Sequence, residues 1–216
     1  MTPEGPASRT DNQGAEVRAE APARTLSARL PRLFLSPTPP LTMALDPKSA
    51  ARDLVQRPGV RIGVAISRFH EDLTGAMLRS AEAELRAAGM EEDGLRVVWV
   101  PGAFELPLVA RRLARRDDVD AVLCFGLVLT GETTHDHWVA MGATQGITLA
   151  SLETDTPIHF GVLTCQTLEQ AKARALPADE GGAEDKGREV ARAALVTLAA
   201  LDEASAGTDD RRPAGF

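Results

Sequence analysis

The sequence holds no tyrosine and only two tryptophans, and six phenylalanines supply the remaining aromatic rings. Aromatic positions are few enough to follow one by one. Cysteine is almost as scarce. Cys124 and Cys165 make no disulfide framework, which favours a reducing compartment and a cytoplasmic location. No apolar run approaches the ~18 residues that a membrane-spanning helix needs, so no membrane association is expected. Positive charge is in deficit: 24 Lys and Arg against 31 Asp and Glu give a formal charge of −7. That balance argues against nucleic acid as a partner and leaves no polybasic patch for a lipid surface. It still leaves room for a local cationic pocket. Two phosphate motifs are missing as well. No G-x-G-x-x-G follows an early strand, and no G-x-x-x-x-G-K-[ST] occurs, so nicotinamide and nucleoside-triphosphate chemistry lose support.

What is present suits one domain of ordinary size. The chain has 216 residues, 44% of them hydrophobic, enough for a substantial core. Residues 1–57 read as a flexible extension, because "GPASRTDNQGAE" and "SPTPPLT" are rich in Pro, Gly and small polar residues without a sustained period. Arg18, Arg24, Arg29 and Arg32 suit a transit peptide, whereas Glu4, Asp11, Glu16 and Glu20 count against one. A true start at Met43 is the plainer alternative. Residues 58–205 read as the folded domain, and 206–216 as a disordered tail.

From Arg61 the pattern becomes regular. "RIGVAI", "LRVVWV", "VDAVLCFGLVL" and "PIHFGVL" are short apolar runs with β-branched residues and read as four strands. Between the first two, Leu73, Met77, Leu78, Ala81, Leu85 and Ala88 recur at helical spacing, and Gly89 supplies the stop. "ELPLVARRLARR" is a second helix with Leu106, Val109 and Leu113 on one face. A long helix is expected from about Thr134 to Glu153, and a short one from Leu168 to Arg174. A last helix carries Val190, Ala194, Leu198 and Leu201 on one stripe. Alternating strands and helices predict an α/β, flavodoxin-like three-layer fold: a four-stranded parallel sheet in the order 2-1-3-4, with helices on both faces. Ligands of such sheets bind beyond the carboxyl ends of the strands, where the order reverses. Here that places them between strands one and three, beside the loops "SRFHED" and "TGETTH".

The second of these loops gathers polar groups directly after a buried strand. Gly131 permits a sharp exit, and Thr133 with Asp136 fits the S/T-x-x-D/E signature of a helix start. The free N–H groups of a first helical turn, with the helix dipole, favour an anion, and phosphate is the natural candidate. His135 falls beside it, and histidine is the side chain whose ordinary titration range suits proton transfer near neutral pH. The same residues also fit an ordinary capped helix with a solvated histidine. A metal site at His135, Asp136 and His137 is a third reading, weakened because positions i and i+2 of a helix diverge. Phe69 and Phe104 fall just past strand ends, where a flat ring can stack or where core packing ends. Glu105 either accepts hydrogen bonds from a polyol or simply sits in a first helical turn. Arg174 and Lys186 flank the polar loop "ALPADEGGAED", a place equally suited to a solvated face. Phe160 and His159 fit a strand core or face, and neither cysteine has an evident partner for thiolate chemistry.

Taken together, "RIGVAISRFHEDLT", "VPGAFELPLVARRLA", "FGLVLTGETTHDHWVA", "SLETDTPIHFGVLTCQTLEQAKARA" and "DKGREVARAAL" resemble the lumazine synthase family. The five segments cover about residues 60–200 in the family's order, so 58–205 would be its catalytic domain. The resemblance implies the joining of 5-amino-6-(D-ribitylamino)uracil to 3,4-dihydroxy-2-butanone 4-phosphate, the penultimate step of riboflavin biosynthesis, with no cofactor and no metal. It implies that Phe69 stacks on the pyrimidine ring. Ala103, Phe104 and Glu105 would hold the ribityl chain and ring edge, and the backbone of Val128 and Leu129 would meet the ring. Glu132, Thr133 and Thr134 match the phosphate-binding turn, and His135 the proton-transfer histidine. Phe160, Arg174 and Lys186 match residues supplied by a neighbouring subunit, Arg174 for phosphate and Lys186 for positioning.

The implied partners are the small-molecule substrates, other copies of the chain, and a functional link to riboflavin synthase. The family's pentamer is the expected assembly, with a shell of sixty subunits as the alternative. Two features depart from the family pattern. Thr130 stands where many members have a basic residue, and the loop from Leu176 to Asp185 is longer, which in the family goes with free pentamers. Gly142, Ala143, Gly146 and Ala150 suit close helix approach around a fivefold axis, or a helix buried within one subunit. Two rival readings are a non-catalytic flavin- or lumazine-binding or shell protein on this fold, and a flavodoxin-like FMN binder. Retention of His135, Arg174 and Lys186 favours the enzyme over the first. "SRFHED" makes a poor phosphate loop for the second.

Overall fold

The computed structural model describes residues 54–206. The extension expected over 1–57 and the tail over 206–216 lie outside that range, apart from residues 54–57 and Ala206. Leu54 and Val55 pack against the core, and the Arg57 N–H donates to the Ala88 carbonyl at 2.8 Å. Packed chain therefore reaches back before residue 58.

The elements run β1 (Ile62–Ser67), α1 (Glu71–Ala87), β2 (Leu95–Val100), a 3-10 turn (Ala103–Glu105), α2 (Leu106–Ala114), β3 (Ala121–Leu129), α3 (His135–Thr154), β4 (Ile158–Cys165), α4 (Leu168–Ala175), a second 3-10 turn (Ala178–Glu180) and α5 (Lys186–Ser205). The sheet order is β2-β1-β3-β4, parallel throughout. The central register sets Val64 between Val97 and Leu123, and Cys124 opposite Phe160. β1 is buried at every residue and β3 at all but its last, because helices cover both faces of the central strands.

Alternation along β3 divides the core in two. Leu123, Phe125 and Leu127 face a cluster with Met77 and Leu85 of α1 and Leu195 of α5. Val122, Cys124 and Val128 face Leu106, Ala110 and Leu113 of α2 and Ile147 of α3. Each fully buried Leu or Phe contributes about 1.5–3 kcal/mol, so these two layers fix the sheet and the loops at its ends. The packed stripe of α5 runs through Ala191, Ala194, Leu195 and Leu198. Leu201, expected on it, is exposed. At the crossing of α1 and α5 the buried Glu84 accepts from Arg192 and lies 3.5 Å from Arg188 Nε.

α3 begins one residue later than the S/T-x-x-D/E pattern suggests. Its N-cap is Thr134, with no side-chain cap bond. The Thr133 hydroxyl instead accepts the His135 N–H at 3.4 Å, which removes the expected Thr133–Asp136 box. The small residues of α3 are used inside the subunit. A Cβ at Gly142 would stand 2.7 Å from Phe104 Cε2, and one at Gly146 2.7 Å from Pro107. Among the described residues no helix is long and apolar enough to cross a membrane.

Candidate functional site

β1 lies between β2 and β3; the chain leaves β1 toward the face that carries α1 and leaves both neighbours toward the face that carries α2 and α3. A crevice opens at their carboxyl ends. Two hydrogen bonds brace it: Arg68 N–H to the Val100 carbonyl at 2.8 Å, and Phe69 N–H to the Pro101 carbonyl at 3.2 Å. The exit loops of β1 and β2 are thereby held side by side. His70, at the start of α1, has φ +58°, an uncommon conformation for a non-glycine residue. Its ring meets Phe69 edge-on, centroids 4.6 Å apart. Such departures cluster at functional sites.

The crevice holds a cavity of about 630 Å³, a size that suits a small-molecule ligand. Phe69 and Phe104 form aromatic walls, 60% and 61% exposed in the single chain. Ala103 and Glu105 line the side contributed by the turn after β2. Val128 and Leu129 line the floor at the end of β3, and Thr133 and His135 the far end. Eight of the residues singled out from the sequence thus surround one hollow. Glu105 satisfies both readings of it, because it lines the cavity while its Oε2 accepts the Gly102 N–H at 2.9 Å. Glu132 and Thr134 are exposed in the same turn but do not line the cavity.

Phe160, Lys186 and Arg174 lie elsewhere. Phe160 is 43% exposed rather than core. With Lys186, Glu189 and Val190 it lines a smaller hollow of about 370 Å³ between the edge strand β4 and α5. Arg174, in the last turn of α4, donates Nη1–H to the Gln170 carbonyl at 3.0 Å. Glu184 connects the two cations, 3.7 Å from Arg174 Nη2 and 3.1 Å from Lys186 Nζ. Burial lowers the Lys186 pKa, but hydrogen bonds to Glu189 and Glu184 outweigh it, and the ammonium titrates above its usual range. It is a fixed cation at neutral pH.

Other groups are chemically quiet. Burial pushes the Cys124 thiol far above its usual range. Burial also raises the Cys165 thiol, with Arg174 drawing it back and Glu184 adding to the rise. His159 is half-buried with Nε2 unpartnered, and burial lowers its pKa. Among the described residues no three His, Cys, Asp or Glu side chains converge as a metal site requires.

Sequence reasoning missed Trp138, Asp136 and Val139 as cavity residues. A signal was available for two of them: positions 138 and 139 follow His135 at i+3 and i+4, the spacing that puts side chains on one helix face.

A four-stranded parallel sheet in the order 2-1-3-4 with helices on both faces defines a flavodoxin-like protein, and its aromatic-walled hollow lies at the switch point where such sheets bind ligands. The family model of 6,7-dimethyl-8-ribityllumazine synthase matches residues 59–202. Two proteins of that name, from two strains of Thermus thermophilus, are each 44% identical over 162 residues, 74% of this chain and 99% of theirs. A 6,7-dimethyl-8-ribityllumazine synthase 1 from Caulobacter vibrioides is 42% identical over 141 residues, 65% of this chain and 90% of its own. The chain belongs to the 6,7-dimethyl-8-ribityllumazine synthase family. Its reaction is the condensation that yields 6,7-dimethyl-8-ribityllumazine in riboflavin biosynthesis, a transferase activity.

Proposed function

We propose that this condensation takes place in the cavity at the ends of β1, β2 and β3, at a site completed by an adjoining copy of the chain in a cytoplasmic homopentamer. The substrates are 5-amino-6-(D-ribitylamino)uracil and 3,4-dihydroxy-2-butanone 4-phosphate. The observation that carries the reading is the gathering of Phe69, Phe104, Glu105, Val128, Thr133 and His135 around one hollow. Phe69 stacks on the pyrimidine. Ala103, Phe104 and Glu105 hold the ribityl chain and ring edge, and the Val128 and Leu129 backbone meets the ring.

Glu132, Thr133 and Thr134 form the turn that takes the phosphate at the start of α3, where unpaired N–H groups and the helix dipole favour an anion. The uracil amine condenses with the ketone and loses water as an imine forms. Phosphate then departs, the ring closes, and a second water leaves. Each step moves a proton, and His135 is the group placed to shuttle it. Phosphate departure calls for a cation, and Arg174 of the adjoining copy supplies it, with Phe160 and Lys186 beside it. Holding both substrates in register supplies more of the rate than any single group.

Self-association is supported by apolar surface on the α2–α3 side: Leu108, Leu149 and Leu152 are 64%, 57% and 77% exposed. The test is a turnover assay with both substrates, followed by the appearance of the fluorescent product. Product formation that depends on both substrates supports the reading. An inactive, correctly folded protein overturns it.

A further inference from the structure

Glu184 has no role in the reading above, yet its carboxylate stands between the two cations that the reading needs. Its Oε1 lies 3.7 Å from Arg174 Nη2 and its Oε2 lies 3.1 Å from Lys186 Nζ. The position is held by backbone. The N–H groups of Ala183 and Glu184 both donate to the Ala173 carbonyl, at 2.7 and 3.0 Å, which pins the end of the loop to the last turn of α4. The next residue, Asp185, caps α5 by accepting the Arg188 N–H at 3.2 Å and takes the Ser80 hydroxyl at 2.5 Å. The loop therefore cannot carry Glu184 away without breaking these ties.

The two contacts differ in kind. Lys186 is held at hydrogen-bonding distance and has a second carboxylate, Glu189, at 2.6 Å. Arg174 is close enough to Glu184 for attraction but too far for a hydrogen bond, and it keeps its own bond to the Gln170 carbonyl. A phosphate dianion presents more charge than a carboxylate and matches the guanidinium fork. It therefore takes Arg174 from Glu184, while Lys186 stays with its carboxylates.

We propose that Glu184 is a positioning residue that holds Arg174 and Lys186 in place, competes with the phosphate ester for Arg174, and so sets the affinity for the phosphate-bearing substrate. This inference rests on the proposed role of Arg174.

The test compares Glu184→Gln with Arg174→Ala in the full chain, measuring KM for each substrate, kcat, and inhibition by inorganic phosphate. Glu184→Gln keeps the shape and removes the charge at an exposed position. The expected result is a fall in KM for the phosphate-bearing substrate by about two- to fivefold, the range that an exposed ion pair supports. Inorganic phosphate should inhibit more strongly by the same factor, with kcat and the KM for the uracil substrate nearly unchanged. An unchanged or raised phosphate-substrate KM in Glu184→Gln overturns the inference if Arg174→Ala still raises that KM. If Arg174→Ala also changes nothing, the assignment of Arg174 fails, and the inference falls with it.

Discussion

His135 opens α3 at the edge of the cavity, exposed enough to exchange protons with a ligand and with water. Under the proposed role, replacing it would remove the proton shuttle but leave the aromatic walls and the turn before α3. His135→Ala is expected to lower kcat by on the order of 10²-fold while substrate KM values change little, as steady-state kinetics will show. His159 belongs to stability rather than to the reaction. Burial depresses its folded pKa below the ordinary histidine value. Below about pH 6.5 the unfolded chain then binds a proton that the folded chain refuses, so stability falls as pH drops through that value toward the depressed one. His159→Leu should lose less stability than the parent between about pH 7.5 and 5.5, measured by urea midpoints at each pH. An equal loss in both proteins would place the acid sensitivity elsewhere.

At the scale of elements, the crossing of α1 and α5 decides where the loop with Glu184 ends and where Lys186 begins its helix. Gly187, the second residue of α5, lies against the Met77 backbone so closely that an added Cβ would overlap the Met77 carbonyl oxygen. Backbone cannot swing aside as a side-chain tip can. Gly187→Ala should therefore cost about 1–3 kcal/mol of stability, read as a lower urea midpoint at unchanged slope. The neighbouring Lys186 would be displaced with the helix start, so the variant should also bind substrate more weakly. A fully stable Gly187→Ala would mean that the helices separate more easily than their packing implies. α3 shows a different economy: its glycines admit Phe104 and Pro107 on one side, while Trp138, Leu149 and Leu152 stay exposed on others. A helix apolar on most of its circumference fits a position between neighbours.

At the scale of the whole molecule, the cavity and the Arg174–Glu184–Lys186 cluster occupy separate places in one chain. A site that needs both must draw them from two copies. Native mass measurement is expected to give five chains, and a monomer would refute the shared site. Co-assembly offers a sharper check. Phe69→Ala and Arg174→Ala should each be weak alone, whereas a refolded equal mixture should regain activity, because about one interface in four pairs an intact pocket with an intact Arg174 in a cyclic ring. No recovery would place both residues in the same subunit's site.

The order of elements and the strand sequence 2-1-3-4 were legible in the chain, since apolar runs of β-branched residues alternate with helical periods and right-handed crossovers leave few arrangements. The gathering of Phe69, Phe104 and His135 at one crevice was legible because all three follow strand ends on the same edge of the sheet. Local pattern failed where two elements compete for one group. The Thr133 hydroxyl bonds the His135 N–H instead of capping as expected, and Phe160 ends half-exposed on an edge strand that no fifth strand flanks among the described residues. Sequence by itself determined the architecture and the family, because burial periodicity and motif order are properties of the linear chain. Only the tertiary structure decided that Glu184 reaches both Arg174 and Lys186, because side-chain distances across a loop depend on how helices pack, which no local period encodes.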